Sequence, residues 1–154
     1  VSAQDESLAT WFTMNPAFRL GVTGSSTWTS RTSVWVPLNR MLKRHQYLIV
    51  RNGKAKRGVD RFVGEWAEKF EDHIVFEDPH PADWTAHGNR AGFIRNQELV
   101  DAGLDALMAW AKPCRKKKPW CPPGEHPTHG TFDCVEKARA AKVPIHFSPD
   151  GLSW

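Results

Sequence analysis

Two sets of residues in this 154-residue chain have the types and spacing that chemistry needs. The first is a series of glycine-bearing turns: Gly24-Ser25-Ser26-Thr27-Trp28, Gly53-Lys54-Ala55-Lys56-Arg57-Gly58-Val59-Asp60, Gly88-Asn89-Arg90-Ala91-Gly92 and Gly130-Thr131. Glycine lets backbone approach a ligand closely, amides and hydroxyls donate, and lysine or arginine neutralises, so together these turns suit a ligand with phosphate groups. At any single turn a glycine also serves an ordinary backbone need; the signal lies in their accumulation. Neither GxGxxG nor GxxxxGK[ST] occurs, which argues against a standard dinucleotide dehydrogenase and a P-loop NTPase. The second set is Cys114-x6-Cys121-x4-His126-x2-His129. Two thiols and two imidazoles bind zinc tetrahedrally, and a metal would order a proline-rich loop that has no core. Paired CxxC knuckles are absent, so a loop of free thiols competes with the zinc reading. On the same loop Arg115-Lys116-Lys117-Lys118 is a solvated charge run, a lid that attracts an anion, or a nucleic-acid contact.

The elements that must position these groups follow from hydrophobic periodicity. Residues 1–16 are polar and end in Asn-Pro, and they read as an irregular N-terminal arm ahead of one domain over 17–154. Short apolar runs at 18–23, 47–50, 73–76, 105–110 and 145–147 read as buried strands. Between them 31–43, the stretch after Gly58, 91–102 and 131–141 carry apolar residues at helical spacing. Five strands alternating with four helices predict an α/β fold, a parallel sheet with helices on both faces. In such a sheet ligands bind outside the carboxyl ends of the strands, which is where the glycine turns fall. The segment 112–129, about 18 residues with five prolines and no periodicity, is longer than an ordinary strand-to-helix connection.

Composition narrows the function classes. Lysine plus arginine exceed aspartate plus glutamate by 21 − 17 = +4, short of the clustered basicity that marks a nucleic-acid binder. No apolar run reaches the roughly 18 to 20 residues a bilayer requires, and the opening residues lack the layout of a secretory signal, so a cytoplasmic protein is expected. Three cysteines, an odd count, argue for reduced thiols or a metal site over a disulfide framework.

The first turn, the segment from Gly53 to Asp60, His80-Pro81-Ala82-Asp83-Trp84, Gly88-x-x-Ala91-Gly92-x-x-Arg95-Asn96, and Gly130-Thr131 followed by Cys134 resemble the YspA branch of the SLOG superfamily over about residues 18–147. The resemblance implies a Rossmann-like three-layer sandwich, a setting in actinobacteria or their phages, and often a homodimer. It also implies a nucleotide-derived ligand such as ADP-ribose, NAD or a nucleoside phosphate. The ligand residues it implies are Gly24, Ser25, Ser26, Thr27, Gly53, Lys54, Ala55, Gly58, Asp60, Gly92, Arg95, Asn96, Gly130 and Thr131. Three departures stand out. Ser26 replaces the arginine usual in the family's first turn, for which Lys54, Lys56 or Arg57 would compensate. Cys134 stands where the nucleoside-phosphate-cleaving relatives carry a glutamate, and a thiol does not supply a carboxylate's charge stabilisation. The loop before Gly130 is expanded.

Single residues divide between sharp and bland roles. Asp60, in a helix's first turn, either binds a ribose hydroxyl or favours the helix dipole. Arg95 either reaches a phosphate or pairs on the surface with Glu98 or Asp101, and Asp60 and Arg95 are the weak catalytic candidates. Thr131 is an N-cap or a phosphate donor. Trp28 and Trp84 stack on a base or simply pack. His80 and Asp83 do acid–base work or form a rigid turn. Three functions remain: binding of a nucleotide derivative, hydrolysis of an N-glycosidic bond in a nucleoside monophosphate or NAD, and nucleic-acid binding through Arg115 to Lys118 with steep salt dependence.

Overall fold

The computed structural model describes residues 3–154. Five strands, β1 (Phe18–Gly24), β2 (Leu48–Asn52), β3 (Val75–Pro79), β4 (Ala106–Trp110) and β5 (Ile145–Phe147), form one sheet in the order β3-β2-β1-β4-β5. Every neighbouring pair is parallel. Helices α2 (Arg31–His45) and α3 (Gly58–Ala67) lie on one face, α5 (Ala91–Asp101) and α6 (His129–Ala140) on the other. This is the expected three-layer α/β sandwich.

Alternation along the strands builds two separate cores. Leu20, Val22, Leu48, Val50, Met108 and Trp110 pack against Val34 and Leu38 of α2 and Val59, Val63 and Trp66 of α3. Their neighbours Leu107 and Ala109 point the other way, onto Leu99 and Val100 of α5 and Val135 and Ala138 of α6. The buried tryptophans keep their N–H groups satisfied: Trp66 Nε1 donates to Asn39 Oδ1 and Trp110 Nε1 to the Ser33 carbonyl, both at 2.8 Å. The chain leaves β1 toward β2 and later returns to place β4 on β1's other side. The direction of winding therefore reverses between β1 and β4, and the crevice beyond their carboxyl ends is the natural ligand position.

Four expectations need correction. The N-terminal arm is not irregular: Ala3–Met14 is a helix, α1, whose Trp11 ring stands edge-on to Tyr47 at 4.7 Å while Phe12 meets Phe76. Its apolar residues form no continuous stripe, and a few aromatic contacts anchor it to the sheet. Val1 and Ser2 of that arm lie outside the described residues. The third strand lies two or three residues later than the apolar run at 73–76, because β3 is an edge strand and its Glu77 and Asp78 find partners: Lys54 and Asn52 for the first, Arg51 and His80 for the second. A short helix α4 (Trp84–His87) and a 3-10 turn (Gly88–Arg90) precede α5, where a plain loop was expected. The last helix starts at His129, two residues early, with Thr128 at its N-cap position.

Candidate functional site

The carboxyl edge of the sheet gathers the glycine turns from separate stretches of chain. Leaving β1, the Ser25 amide donates to the Trp110 carbonyl (3.0 Å), tying the first turn to the end of β4. The Ser25 carbonyl accepts from the amides of Trp28 and Val59, so the first turn also holds the start of α3. Two glycines permit this approach. A Cβ on Gly24 would fall 2.5 Å from Val59 Cγ2, and one on Gly58 would meet the Ser26 carbonyl carbon at 2.6 Å and the Ser25 oxygen closer still. Gly58 also has φ +67°, a conformation side-chain-bearing residues rarely adopt. Within the turn, Ser25 Oγ lies 2.9 Å from Thr27 Oγ1 and accepts from the Thr27 amide, which leaves Ser26 and Thr27 exposed at the tip.

Arg95 and Asn96 connect the second turn to the fourth. From α5, Arg95 Nη1 donates to the Gly53 carbonyl at 2.6 Å and Nε to Asn96 Oδ1 at 3.0 Å. Asn96, 4% exposed, donates through Nδ2 to the Gly130 carbonyl (3.2 Å) and to Asp133 Oδ2 (3.0 Å). A Cβ on Gly53 would lie 2.5 Å from Arg95 Cζ, so this glycine makes room for the guanidinium. Gly92, one turn earlier, sits 3.9 Å from Arg95 Nη2 by the same measure and 3.5 Å from the Trp84 ring. One polar chain thus runs from β2 through α5 to the N-terminus of α6. There the first amides of the helix have no partner within it, and Gly130 is exposed beside them.

Asp60 is the electrostatic oddity of this rim. It is 8% exposed, and burial pushes its carboxyl up to about 6 from 3.8, against the opposing pull of the Ala55 amide, the Arg95 charge and the Gly53 amide. The Ala55 amide donates to Asp60 Oδ2 at 3.1 Å, so the carboxylate closes the 53–58 turn from within while Lys54, Ala55, Lys56 and Arg57 face outward. Cys134 lies in the core between α6 and the sheet at 1% exposure, its thiol pushed up to about 11 by burial. It is a neutral packing group.

Other candidates have structural employment. Trp28 is buried and donates to Ser33 Oγ at 2.8 Å, so packing is its role. Asp83 caps α4 by accepting from the Ala86 amide (2.9 Å). His80 Nε2 sits 2.8 Å from Asp78 Oδ2, in a group completed by Arg51. Thr131 is not the N-cap: it is buried, its hydroxyl accepting from Thr128 at 3.4 Å. Trp84 alone of these stays open, 61% exposed.

The structure adds residues that motif reading missed. Asn52, fully buried, accepts from the Lys54 amide and donates to Glu77, fixing the start of the second turn; its place just before Gly53 was the available signal. Asp133 joins Asn96 to Lys137, and Lys112 Nζ donates to the Thr27 carbonyl at 2.8 Å. A cavity of about 620 Å³ opens where the first turn ends, walled by Trp28, Ser30, Ala111, Lys112, Arg115 and Asp150, within the size range of small-molecule sites.

A second cluster lies in the 112–129 loop. One ligand atom from each of Cys114, Cys121, His126 and His129 comes within 4.8 Å of all the others, an arrangement that can hold a metal ion. The Lys116 amide holds the Cys114 thiol below its ordinary range.

A family model described as "YspA, cpYpsA-related SLOG family" matches residues 18–87, which run from β1 through the first two turns to α4. The chain is 37% identical over 130 residues to the Gene 61 protein of Mycobacterium phage D29, an overlap covering 82% of this chain and 93% of that protein. No solved structure matches. No helix among the described residues is long and apolar enough to cross a membrane. With the parallel sheet, the glycine turns on its carboxyl edge and a relative that it covers almost end to end, the chain belongs to the YspA, cpYpsA-related SLOG family.

Proposed function

We propose that the carboxyl edge binds a nucleotide-derived small molecule, of the ADP-ribose, NAD or nucleoside phosphate class, which the protein senses or sequesters. The observation that carries this reading is the polar chain Gly53–Arg95–Asn96–Gly130, lying beside the interlocked turns at Gly24 and Gly58. Phosphate oxygens would lie against the exposed tip at Ser26 and the first amides of α6, with Arg95, Lys54, Lys56 and Arg57 supplying charge. Asp60 would accept from a ribose hydroxyl. The cavity walled by Trp28 and Lys112, next to the first turn, would take the remainder of the ligand. Native mass spectrometry of freshly purified protein should find a co-purifying nucleotide, and calorimetry with AMP, NAD and ADP-ribose should give saturable binding to at least one. Arg95→Ala should weaken that binding by roughly tenfold or more, the worth of a hydrogen bond to a charged group. Arg95→Lys should recover part of it. No co-purifying nucleotide and no heat with any of the three would refute the proposal.

Turnover is a second reading, favoured by one observation: a buried carboxyl raised to about 6 can exchange a proton near neutrality. Its test is release of free base from AMP or of nicotinamide from NAD by the purified chain, abolished in Asp60→Asn. Against it, the position that a glutamate holds in nucleoside-phosphate-cleaving relatives carries Cys134, which is buried and uncharged. The homodimer belongs to the same proposal, with Trp84, Phe93 and Phe132 as exposed aromatics available for a partner copy. Light scattering should then give twice the 17.5 kDa of one chain.

A further inference from the structure

We propose that Cys114, Cys121, His126 and His129 bind one zinc ion, which closes the 112–129 loop and fixes the first turn of α6. Four observations lead there. Zinc held tetrahedrally by sulfur at about 2.3 Å and nitrogen at about 2.05 Å requires sulfur-to-nitrogen separations of about 3.6 Å. His129 Nε2 stands 3.4 Å from Cys121 Sγ and 3.7 Å from Cys114 Sγ. His126 supplies the second observation. Its Nδ1 lies 3.0 Å from the Gly124 carbonyl, which can only accept, so Nδ1 carries the hydrogen and Nε2 is the nitrogen left to face a metal. That Nε2 is buried and is the one such side-chain nitrogen or oxygen without a hydrogen-bond partner among the described residues. A backbone carbonyl on one ring nitrogen and a metal on the other is the usual outer-shell arrangement of a zinc-bound histidine.

Third, the backbone is shaped for the cluster. The Cys114 amide donates to the His126 carbonyl (2.7 Å) and Pro113 bridges Pro127, which sets two ligands side by side although twelve positions separate them. The Lys118 amide donates to Cys121 Sγ at 3.3 Å, which holds that sulfur in place beside His129. Fourth, the loop has no apolar core of its own. Residues 115–120 and 122–125 are all exposed, so ordering about 18 residues needs another source of free energy, and metal binding supplies it. Two neutral imidazoles and two thiolates suit zinc over harder cations. Binding releases one proton from each thiol, so the 2+ ion is neutralised in place and the chain's net charge is unchanged.

Position gives the site a consequence. His129 is the first residue of α6, and Gly130 follows it, so the metal would hold the start of that helix from one side while Asn96 holds the Gly130 carbonyl from the other. This does not depend on any ligand at the sheet edge.

The test is metal analysis of untagged chain purified without chelator. About one zinc per chain is expected, and replacement with cobalt should give the visible bands of a four-coordinate ion together with near-ultraviolet thiolate-to-cobalt charge transfer. Both should be lost in Cys121→Ser and in His126→Ala and kept in Cys134→Ser. Stripping the metal from the wild-type chain should speed hydrogen exchange over 112–132 by roughly tenfold or more, with β1 and β2 unchanged; this readout stands even if the ligand variants fail to fold. A chain that takes up no zinc when refolded with it, a cobalt spectrum without charge transfer, or zinc content indifferent to Cys121→Ser would overturn the proposal.

Discussion

Asp60→Asn is expected to stabilise the protein by up to about 3 kcal/mol at about pH 7.5, a gain that fades toward about pH 4. The reason is the burial of the carboxylate. Its folded value of about 6 lies above the ordinary 3.8, so between those limits the folded chain holds a proton that the unfolded chain has released. Stability therefore falls as pH rises through that window, and the full cost is present above about 6. Asparagine carries no charge to desolvate and keeps an oxygen for the Ala55 amide, which donates to Asp60 at 3.1 Å. Urea unfolding of both proteins at the two pH values measures it. An equal gain at both would show that burial of charge is not the cause, and a loss at about pH 7.5 would mean that the carboxylate's hydrogen bonds outweigh its desolvation. A residue kept at such a cost among the glycine turns of the carboxyl edge supports the proposed site, since buried groups with displaced titration cluster where they act. The same variant should accordingly bind the nucleotide-class ligand less tightly while being the more stable protein.

Gly58→Ala is the counterpart on the destabilising side. Its φ of +67° costs alanine about 1 to 2 kcal/mol. The new methyl would press into backbone, not into a side chain able to move away, because its nearest neighbours are the Ser25 carbonyl and the Ser26 backbone. Crowding of that kind adds about 1 to 3 kcal/mol, so a loss of about 2 to 5 kcal/mol is expected. Denaturant unfolding at one pH is sufficient to check it. Gly130→Ala is the control: a Cβ there meets no atom within 4 Å, and stability should change by less than about 1 kcal/mol. If both alanines behaved alike, the interlock of the first two turns would not be what holds this edge together.

How far the sequence anticipates these features depends on whether an interaction is local. Strand β4 is legible because it is buried on both faces and reads as an unbroken apolar run, and β1 and β2 because Leu20 to Val22 and Leu48 to Val50 are short apolar stretches that stop at glycine or asparagine turns. β3 is displaced because an edge strand tolerates Glu77 and Asp78, whose partners come from β2 and the turn after it. α1 has no apolar stripe to detect; its docking depends on Trp11 and Phe12 meeting residues far along the chain. Glycine-bearing turns announce an edge able to approach a ligand. They do not announce that Arg95 crosses from α5 to Gly53, or that Asn96 spans to Gly130, because those distances exist only after α5 and α6 have packed side by side on the sheet. For the cysteine and histidine loop the spacing resembles no familiar knuckle, and convergence appears only once Cys114 pairs with His126 across a hairpin.

The most direct measurement is a nitrogen–proton correlation NMR titration of the uniformly labelled chain with AMP, NAD and ADP-ribose. Binding at the sheet edge predicts saturable shifts concentrated on the amides of Ser25 to Thr27, Gly53 to Gly58 and Gly130 to Thr131, together with the Arg95 side chain. Unmoved amides at those turns with every ligand, or shifts confined to Arg115 to Lys118 that vanish with added salt, would contradict the account.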